Sequence, residues 1–164
     1  MATEQLVKAA QLPDEDQIYE MLLELHQENG IFVVDEERVR SFIREATEQR
    51  GAIIGVIRGE TGELEASVGM VIDQWWYTLE WCLSERWLFV KPQCRRSTHA
   101  RRLVDYAKHA AEKMGIPLQM GIMSTQSTAK KEALYARKMT RLGGIYMWDA
   151  NQEIKTGGKQ DQHH

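Results

Sequence analysis

Four arginines lie close to one predicted helix start, in the segment VKPQCRRSTHARRL that begins at residue 90. They are Arg95, Arg96, Arg101 and Arg102. The first amides of a helix have no partner inside it and carry the positive end of the helix dipole, so helix starts often bind phosphate groups. Arginine side chains add paired N–H donors that match phosphate oxygens. The pattern therefore indicates a diphosphate site, with a solvated basic helix face as the plainer alternative.

The charge of the whole chain is negative. Of its 164 residues, 43% are hydrophobic and 27% are charged, and the net charge is -3. This is the composition of a globular domain, and a net negative charge disfavours general attraction to nucleic acid or to an anionic membrane. We therefore expect a local phosphate site and no nucleic-acid or membrane partner. A nucleic-acid binder that uses the helix arginines is the less favoured alternative.

The sequence also bears on the compartment. Cys82 and Cys94 are the only cysteines, which is typical of a reducing compartment. The N-terminal residues do not read as a secretory signal, and no apolar run reaches the roughly 20 residues that span a bilayer. We therefore expect a cytoplasmic protein. Because Cys94 lies beside the basic turn, we also expect the pKa of its thiol to be lowered.

The hydrophobic pattern predicts one α/β domain over residues 1–150, followed by a polar, disordered tail over residues 151–164. His26, His99 and His109 are not spaced as metal ligands, so no metal site is predicted. The predicted strands lie at 6–10, 52–57, 66–72, within 79–90, at 116–123 and at 145–148. The predicted helices begin near Pro13, Asp35, Thr98 and Lys130, and the third has an apolar stripe from Ala100 to Met114 and ends at Gly115.

The segment LFVKPQCRRSTHARRL, residues 88–103, resembles the acetyl-CoA signature of the GNAT (Gcn5-related) N-acetyltransferases. In that signature a strand ends in Val-x-Pro, and the turn Gln/Arg-x-x-Gly-x-Gly/Ala then opens a helix. Thr98 departs from it, because the family has a glycine there that lets the backbone approach a pyrophosphate. The order of elements over residues 6–148 is also similar to the family's, and the turn resembles those of phage-encoded members. The matching residues are Val90, Pro92, Arg95, Ala100 and Leu103.

The resemblance implies a fold and an activity. The fold would be a GNAT-like α/β fold with a twisted, mostly antiparallel mixed sheet of about six to seven strands. Helices would cover both faces, and the central strands would splay apart. The activity would be direct transfer of an acetyl group from acetyl-CoA, a co-substrate, to a primary amine without a metal. The alternative is a module of the same fold that binds acyl-CoA and has little or no turnover.

The resemblance also implies where the coenzyme binds. The amides from Arg96 to Ala100 would hold the pyrophosphate. The pantetheine would lie along the end of the strand before the turn, in the splay between it and the strand predicted at 116–123. The coenzyme-binding residues are then Phe89, Val90, Lys91, Arg95, Arg96, Ser97, Thr98, His99 and Ala100.

Two catalytic residues are carried over from the resemblance. Glu85 would be the general base, its pKa raised by partial burial beside Leu83 and Trp87, unless it is a carboxylate in a structural ion pair. The family's tyrosine acid lies four residues before a glycine, where this chain has Met139. Tyr135, one turn earlier, is the substitute candidate, and packing in the core is its alternative role. The oxyanion would be bound by the amide of Phe89 or Val90.

The sequence contains no motif that identifies the amine that accepts the acetyl group. The resemblance implies a small-molecule or peptide amine, and a homodimer by family habit. The aromatic segment QWWYTLEW, residues 74–81, fits an acceptor pocket, a dimer face or core packing at a hairpin end.

Overall fold

The computed structural model describes residues 6–123 and 128–154. The chain divides into two compact units: Met1–Met21 with Asp35–Met120, and Leu22–Val34 with Gly121–His164. The strands are β1 Lys8–Ala9, β2 Ala52–Arg58, β3 Leu64–Gln74, β4 Trp81–Val90 and β5 Leu118–Gln119. The helices are α1 Glu15–Asn29, α2 Glu36–Thr47, α3 His99–Met114 and α4 Thr128–Lys138.

The first unit contains an open mixed sheet with the order β1-β2-β3-β4-β5. Neighbouring strands from β1 to β4 are antiparallel, and β5 is parallel to β4. The expected α/β class with a mixed, mostly antiparallel sheet is confirmed. The expected six to seven strands become five among the described residues, because the segment predicted at 145–148 is not a strand. The strand predicted at 116–123 is present but short, since it covers only Leu118–Gln119. Ile145, Tyr146 and Trp148 are mostly exposed, so their apolar pattern does not reflect a buried strand face.

Helices cover both faces of this sheet. Met21 of α1 and Phe42 of α2 reach one face, where Met21 contacts Ser67 and the Phe42 ring meets the Trp87 ring edge to face. Because side chains alternate along a strand, Val68 and its β2 partner Gly55 lie on the other face. The ring of Tyr106 in α3 packs directly over Gly55.

Helix α3 lies where the sequence predicts a helix, and for the predicted reason. Its apolar stripe is buried, with Leu103, Val104 and Ala107 fully enclosed. It ends at Gly115, whose φ of 66° is left-handed and suits glycine. Val68 and Met70 of β3 are almost inaccessible to solvent and complete this core. Ile54 and Val56 of β2 are equally buried but lie on the opposite face of the sheet, with Ser67.

The second unit contains the C-terminal half of α1 and all of α4. Residues 140–154 form neither helix nor strand. The tail predicted at 151–164 falls mostly outside the described residues. Within the described ranges, no helix is long and apolar enough to cross a membrane.

Candidate functional site

The sheet opens along the second half of β4. Strands β4 and β5 pair only at Leu83–Leu118 and Ser84–Gln119, next to the bond from the Leu83 amide to the Pro117 carbonyl at 2.8 Å. Beyond this point β4 continues to Val90 and pairs with β3 alone in the described part of the chain. Beyond Glu85 this edge of β4 therefore has no strand partner among the described residues, and an extended ligand can pair with it there. At its far end the Val90 carbonyl accepts a hydrogen bond from Arg95 Nε.

Alternation along β4 decides which backbone groups face this edge. The Lys91 amide donates to the Glu65 carbonyl at 2.9 Å, so Lys91 faces β3. Phe89, two residues earlier and opposite Ser67, also faces β3, whereas Leu88 and Val90 face the open edge. The candidates for the oxyanion donor therefore change. The Phe89 amide faces β3 and is excluded, the Val90 amide stays a candidate, and the Leu88 amide is a new candidate that the sequence pattern missed.

Glu85 lies where the two strands begin to separate. It directly follows Ser84, the last residue of β4 that pairs with β5. A bulge interrupts β4 here, because Met70 pairs with Glu85 and Gly69 with Trp87, so that Arg86 has no opposite residue. Glu85 shares a face with Leu83, as predicted, because the register is regular between these two residues. It does not share that face with Trp87, because the bulge lies between Glu85 and Trp87. Glu85 is half-buried, as predicted.

After Val90 the chain forms a tight turn, Pro92–Cys94, and a loop that leads into α3. The turn is closed by bonds from the Cys94 amide to the Lys91 carbonyl at 2.8 Å and from the Ser97 amide to the Cys94 carbonyl at 3.3 Å. The Ser97 hydroxyl donates to the same Cys94 carbonyl at 2.5 Å. We call residues 92–98 the phosphate loop.

A row of free amides lies where this loop becomes helix. Arg102 donates to the Thr98 carbonyl at 3.0 Å and is the first residue of α3 to bond back along the helix. The His99 amide is taken by the Ser97 hydroxyl at 3.2 Å. Among the described residues, no hydrogen bond to the protein engages the amides of Arg96, Thr98, Ala100 and Arg101. Most of the predicted cradle from Arg96 to Ala100 is therefore available to a phosphate, and the Arg101 amide extends it.

The residue that replaces the signature glycine does not strain the loop. Thr98 has φ −89° and ψ 9°, on the negative side of φ that any L-residue adopts. Its exposed side chain makes no capping hydrogen bond to the helix. Threonine can therefore occupy this position without moving the free amides.

Arg95 is fixed at the base of the loop. Its Nε donates to the Val90 carbonyl at 3.0 Å, and its guanidinium lies 5.4 Å from the centre of the Phe89 ring. Arg96 and Arg101, the first and last residues of the row of free amides, have exposed side chains. Arg95 thus shapes the end of β4, while Arg96 and Arg101 bring positive charge to the amide row.

His99 and Cys94 lie on the β3 side of the loop. The His99 side chain is buried, with Nε2 2.5 Å from the Glu65 carboxylate, so the side chain of this predicted coenzyme residue contacts the protein itself. The expected lowering of the Cys94 pKa is wrong. Burial of the thiol raises its pKa, the negative charge of Glu65 raises it further, and Lys91 offsets this only in part. Sequence reasoning missed Glu65, whose partner is far away in the chain.

Tyr135, the predicted acid, lies in the second unit. It is buried in α4, and its carbonyl accepts the Met139 amide at 2.7 Å, just beyond the helix end at Lys138. Its catalytic role remains a prediction. Among residues 6–123 and 128–154, no three His, Cys, Asp or Glu side chains are grouped to hold a metal ion.

A strand edge that leads into a row of free amides suits a long ligand with a phosphate group at one end. The sequence matches the profile of the acetyltransferase (GNAT) family over residues 7–139. The chain therefore belongs to the GNAT family. No curated protein sequence gives a significant match.

Solved structures share the fold at low sequence identity. AAC(6')-Iy in complex with the bisubstrate analogue CoA-S-monomethyl-acetylneamine is 10% identical with a TM-score of 0.71, covering 90% of this chain and 98% of that one. A predicted acetyltransferase with acetyl-CoA from Clostridium acetobutylicum is 10% identical with a TM-score of 0.70, covering 87% and 93%. Glucosamine-6-phosphate N-acetyltransferase from Arabidopsis thaliana is 15% identical with a TM-score of 0.66, covering 92% and 100%.

Proposed function

We propose that this protein is an acetyl-CoA-dependent N-acetyltransferase that transfers the acetyl group directly to a primary amine. The observation that carries the proposal is the open edge of β4 leading into the free amides of Arg96, Thr98, Ala100 and Arg101. Family membership and structural neighbours in complex with a CoA analogue or acetyl-CoA support it. The neighbours named for aminoglycosides and glucosamine 6-phosphate support a small-molecule amine as acceptor.

Two parts of the site would hold the coenzyme. The four free amides and the guanidinium groups of Arg96 and Arg101 would bind the pyrophosphate. The backbone amide and carbonyl of Leu88 and the amide of Val90 would pair with the amide groups of the pantetheine as a neighbouring strand does, while the Val90 carbonyl bonds to Arg95. This arrangement would direct the thioester along β4 towards Glu85, where the strands meet.

The chemistry requires a neutral amine and a stabilised oxyanion. Glu85 would accept a proton from the acceptor ammonium, whose nitrogen then attacks the thioester carbon. The C–N bond forms and the C–S bond breaks. Between these two steps, the Leu88 or Val90 amide would stabilise the negatively charged oxygen of the tetrahedral intermediate. The nitrogen releases a second proton as it becomes an amide, and the thiolate gains a proton, through water or through the predicted acid Tyr135. A cytoplasmic location and a homodimer remain predictions.

The second candidate is a module that binds acyl-CoA without turnover, and Met139 favours it because the family has a tyrosine there. Calorimetric titration with acetyl-CoA, followed by a thiol-release assay over a panel of amines, separates the two. The transferase predicts binding and amine-dependent release. Binding with no release from any amine would support the module.

The site itself is tested by reversing a charge. We expect Arg96→Glu to weaken acetyl-CoA binding about tenfold, because a carboxylate replaces a phosphate-binding cation. Arg38→Glu makes the same charge change at an exposed position of α2 and should leave the affinity for acetyl-CoA unchanged. Equal affinities for the two variants would place the coenzyme elsewhere.

A further inference from the structure

One residue of β3 contacts both ends of the phosphate loop. The backbone carbonyl of Glu65 accepts the Lys91 amide at 2.9 Å, immediately before the loop begins. The Glu65 carboxylate also accepts a hydrogen bond from Nε2 of His99, the first residue of α3, at 2.5 Å. Glu65 therefore connects the two ends of the phosphate loop, although it lies far from that loop in the sequence.

The contact between Glu65 and His99 is shielded from solvent. The side chain of His99 is 7% exposed and that of Glu65 26%. Among the described residues, Nδ1 of His99 is buried without a hydrogen-bond partner, so the ring is oriented through Nε2 alone. Gly59 makes room for the carboxylate, because a Cβ at that position would overlap Oε1 of Glu65. A partly desolvated hydrogen bond to a carboxylate is stronger than an exposed one.

The contact between Glu65 and His99 lies at the start of α3, next to the free amides. The amides of Arg96, Thr98, Ala100 and Arg101 bind a phosphate only if the loop and the first turn of α3 hold their directions. The bonds that fix the loop from outside include the Arg95 contact with Val90 at its base and the two Glu65 contacts. Fixing the loop before the ligand arrives removes an ordering cost from binding.

We propose that Glu65 and His99 are positioning residues of the coenzyme site, which hold the phosphate loop in its binding conformation. This inference rests on the proposed function. It assigns neither residue a contact with the coenzyme. Their effect reaches the ligand through the backbone amides.

The negative charge of Glu65 and its proposed positioning role predict opposite effects of a Glu65 mutation on coenzyme affinity. Glu65 carries a negative charge beside a site for an anionic ligand, so removal of that charge alone would strengthen coenzyme binding. If Glu65 holds the loop, its removal weakens binding instead. Glu60 is the matched control, because it is an exposed carboxylate that lines the same cavity of about 460 Å³ beside Glu65 and His99.

The experiment compares two disruptive variants with two conservative ones. Glu65→Ala and His99→Leu remove the hydrogen bond. Glu65→Gln keeps an acceptor for Nε2, and His99→Gln keeps a donor near the place of Nε2. Acetyl-CoA affinity is measured by calorimetry, and amide hydrogen exchange of residues 92–101 is measured in the ligand-free proteins. Thermal unfolding shows whether each variant is folded.

The expected result is a loss of acetyl-CoA affinity of about tenfold in Glu65→Ala and His99→Leu, with faster exchange across residues 92–101. The two glutamine variants should recover most of both properties, and Glu60→Ala should bind at least as tightly as the wild type. In the transferase the KM for acetyl-CoA should rise while kcat changes little.

Unchanged or tighter binding by the folded Glu65→Ala and His99→Leu variants overturns the inference, and so does faster loop exchange without loss of affinity. If either disruptive variant does not fold, its glutamine counterpart decides: full affinity and wild-type exchange support the contact, and a loss as large as that from Arg96→Glu refutes it. A wild-type protein that does not bind acetyl-CoA refutes the proposed function itself, and with it this inference.

Discussion

At the scale of single residues, Glu85 is the general base that we propose. It lies at the bulge of β4, directly after the last pair with β5 and three residues before the Leu88 amide at the open edge. A ligand along that edge would bring its reacting end to this point.

We expect Glu85→Gln to lower kcat about 100-fold with little change in the KM for acetyl-CoA, because glutamine keeps the size of the side chain but cannot accept the ammonium proton. Steady-state kinetics with an amine found in the panel assay measures this. Glu80→Gln is the control, since Glu80 is an exposed carboxylate just before β4. Equal kcat values for the two variants would remove Glu85 as the base.

At the scale of elements, the bulge and the β3–β4 pairing depend on a glycine. Gly69 lies opposite Trp87, and a Cβ there would overlap the indole ring. That ring has little freedom to move away. Its Nε1 donates to the Ser67 hydroxyl at 2.9 Å, and its edge meets the Phe42 ring at a centroid distance of 5.6 Å.

Gly69→Ala should therefore destabilise the protein by about 2 kcal/mol, as overpacking of a filled core does. Urea unfolding measures the change. Gly143→Ala is the control, because a Cβ at Gly143 would meet no atom within 4 Å. Stability equal to that of the wild type in Gly69→Ala would mean that the indole ring is free to shift.

The same elements show how far sequence reasoning extends. The burial of α3 and the positions of β2 and β3 are predicted by the sequence, because their signals lie in neighbouring residues: an apolar period, short apolar runs and a terminal glycine. The bulge at Arg86, the pair of Glu65 with His99 and the short length of β5 were not predicted. Each depends on which residues meet across the sheet, and no local pattern encodes that. The segment at 145–148 has the apolar character of a strand but no strand pairing among the described residues.

At the scale of the whole molecule, the core is unevenly distributed. Of the described residues, the largest fully buried side chains all belong to the first unit, and they are Ile18, Met21, Ile43, Ile54, Val56, Ile57, Leu64, Val68, Met70, Leu83, Leu103 and Val104. In the second unit, Leu142, Ile145 and Tyr146 are largely exposed. Burial of apolar surface supplies most of the stability of a fold, so the two units should differ in local stability.

Amide hydrogen exchange across the whole ligand-free chain should show this difference. We expect the slowest exchange in β2, β3, the paired part of β4 and the buried face of α3, where opening requires global unfolding. Amides of α4 and of residues 140–154 should exchange at least tenfold faster, because local opening there exposes little buried apolar surface. Acetyl-CoA should then slow exchange at residues 96–101 more than elsewhere, since those amides would become bound. Protection of α4 equal to that of β3 without ligand would contradict the assignment of the stable core to the first unit.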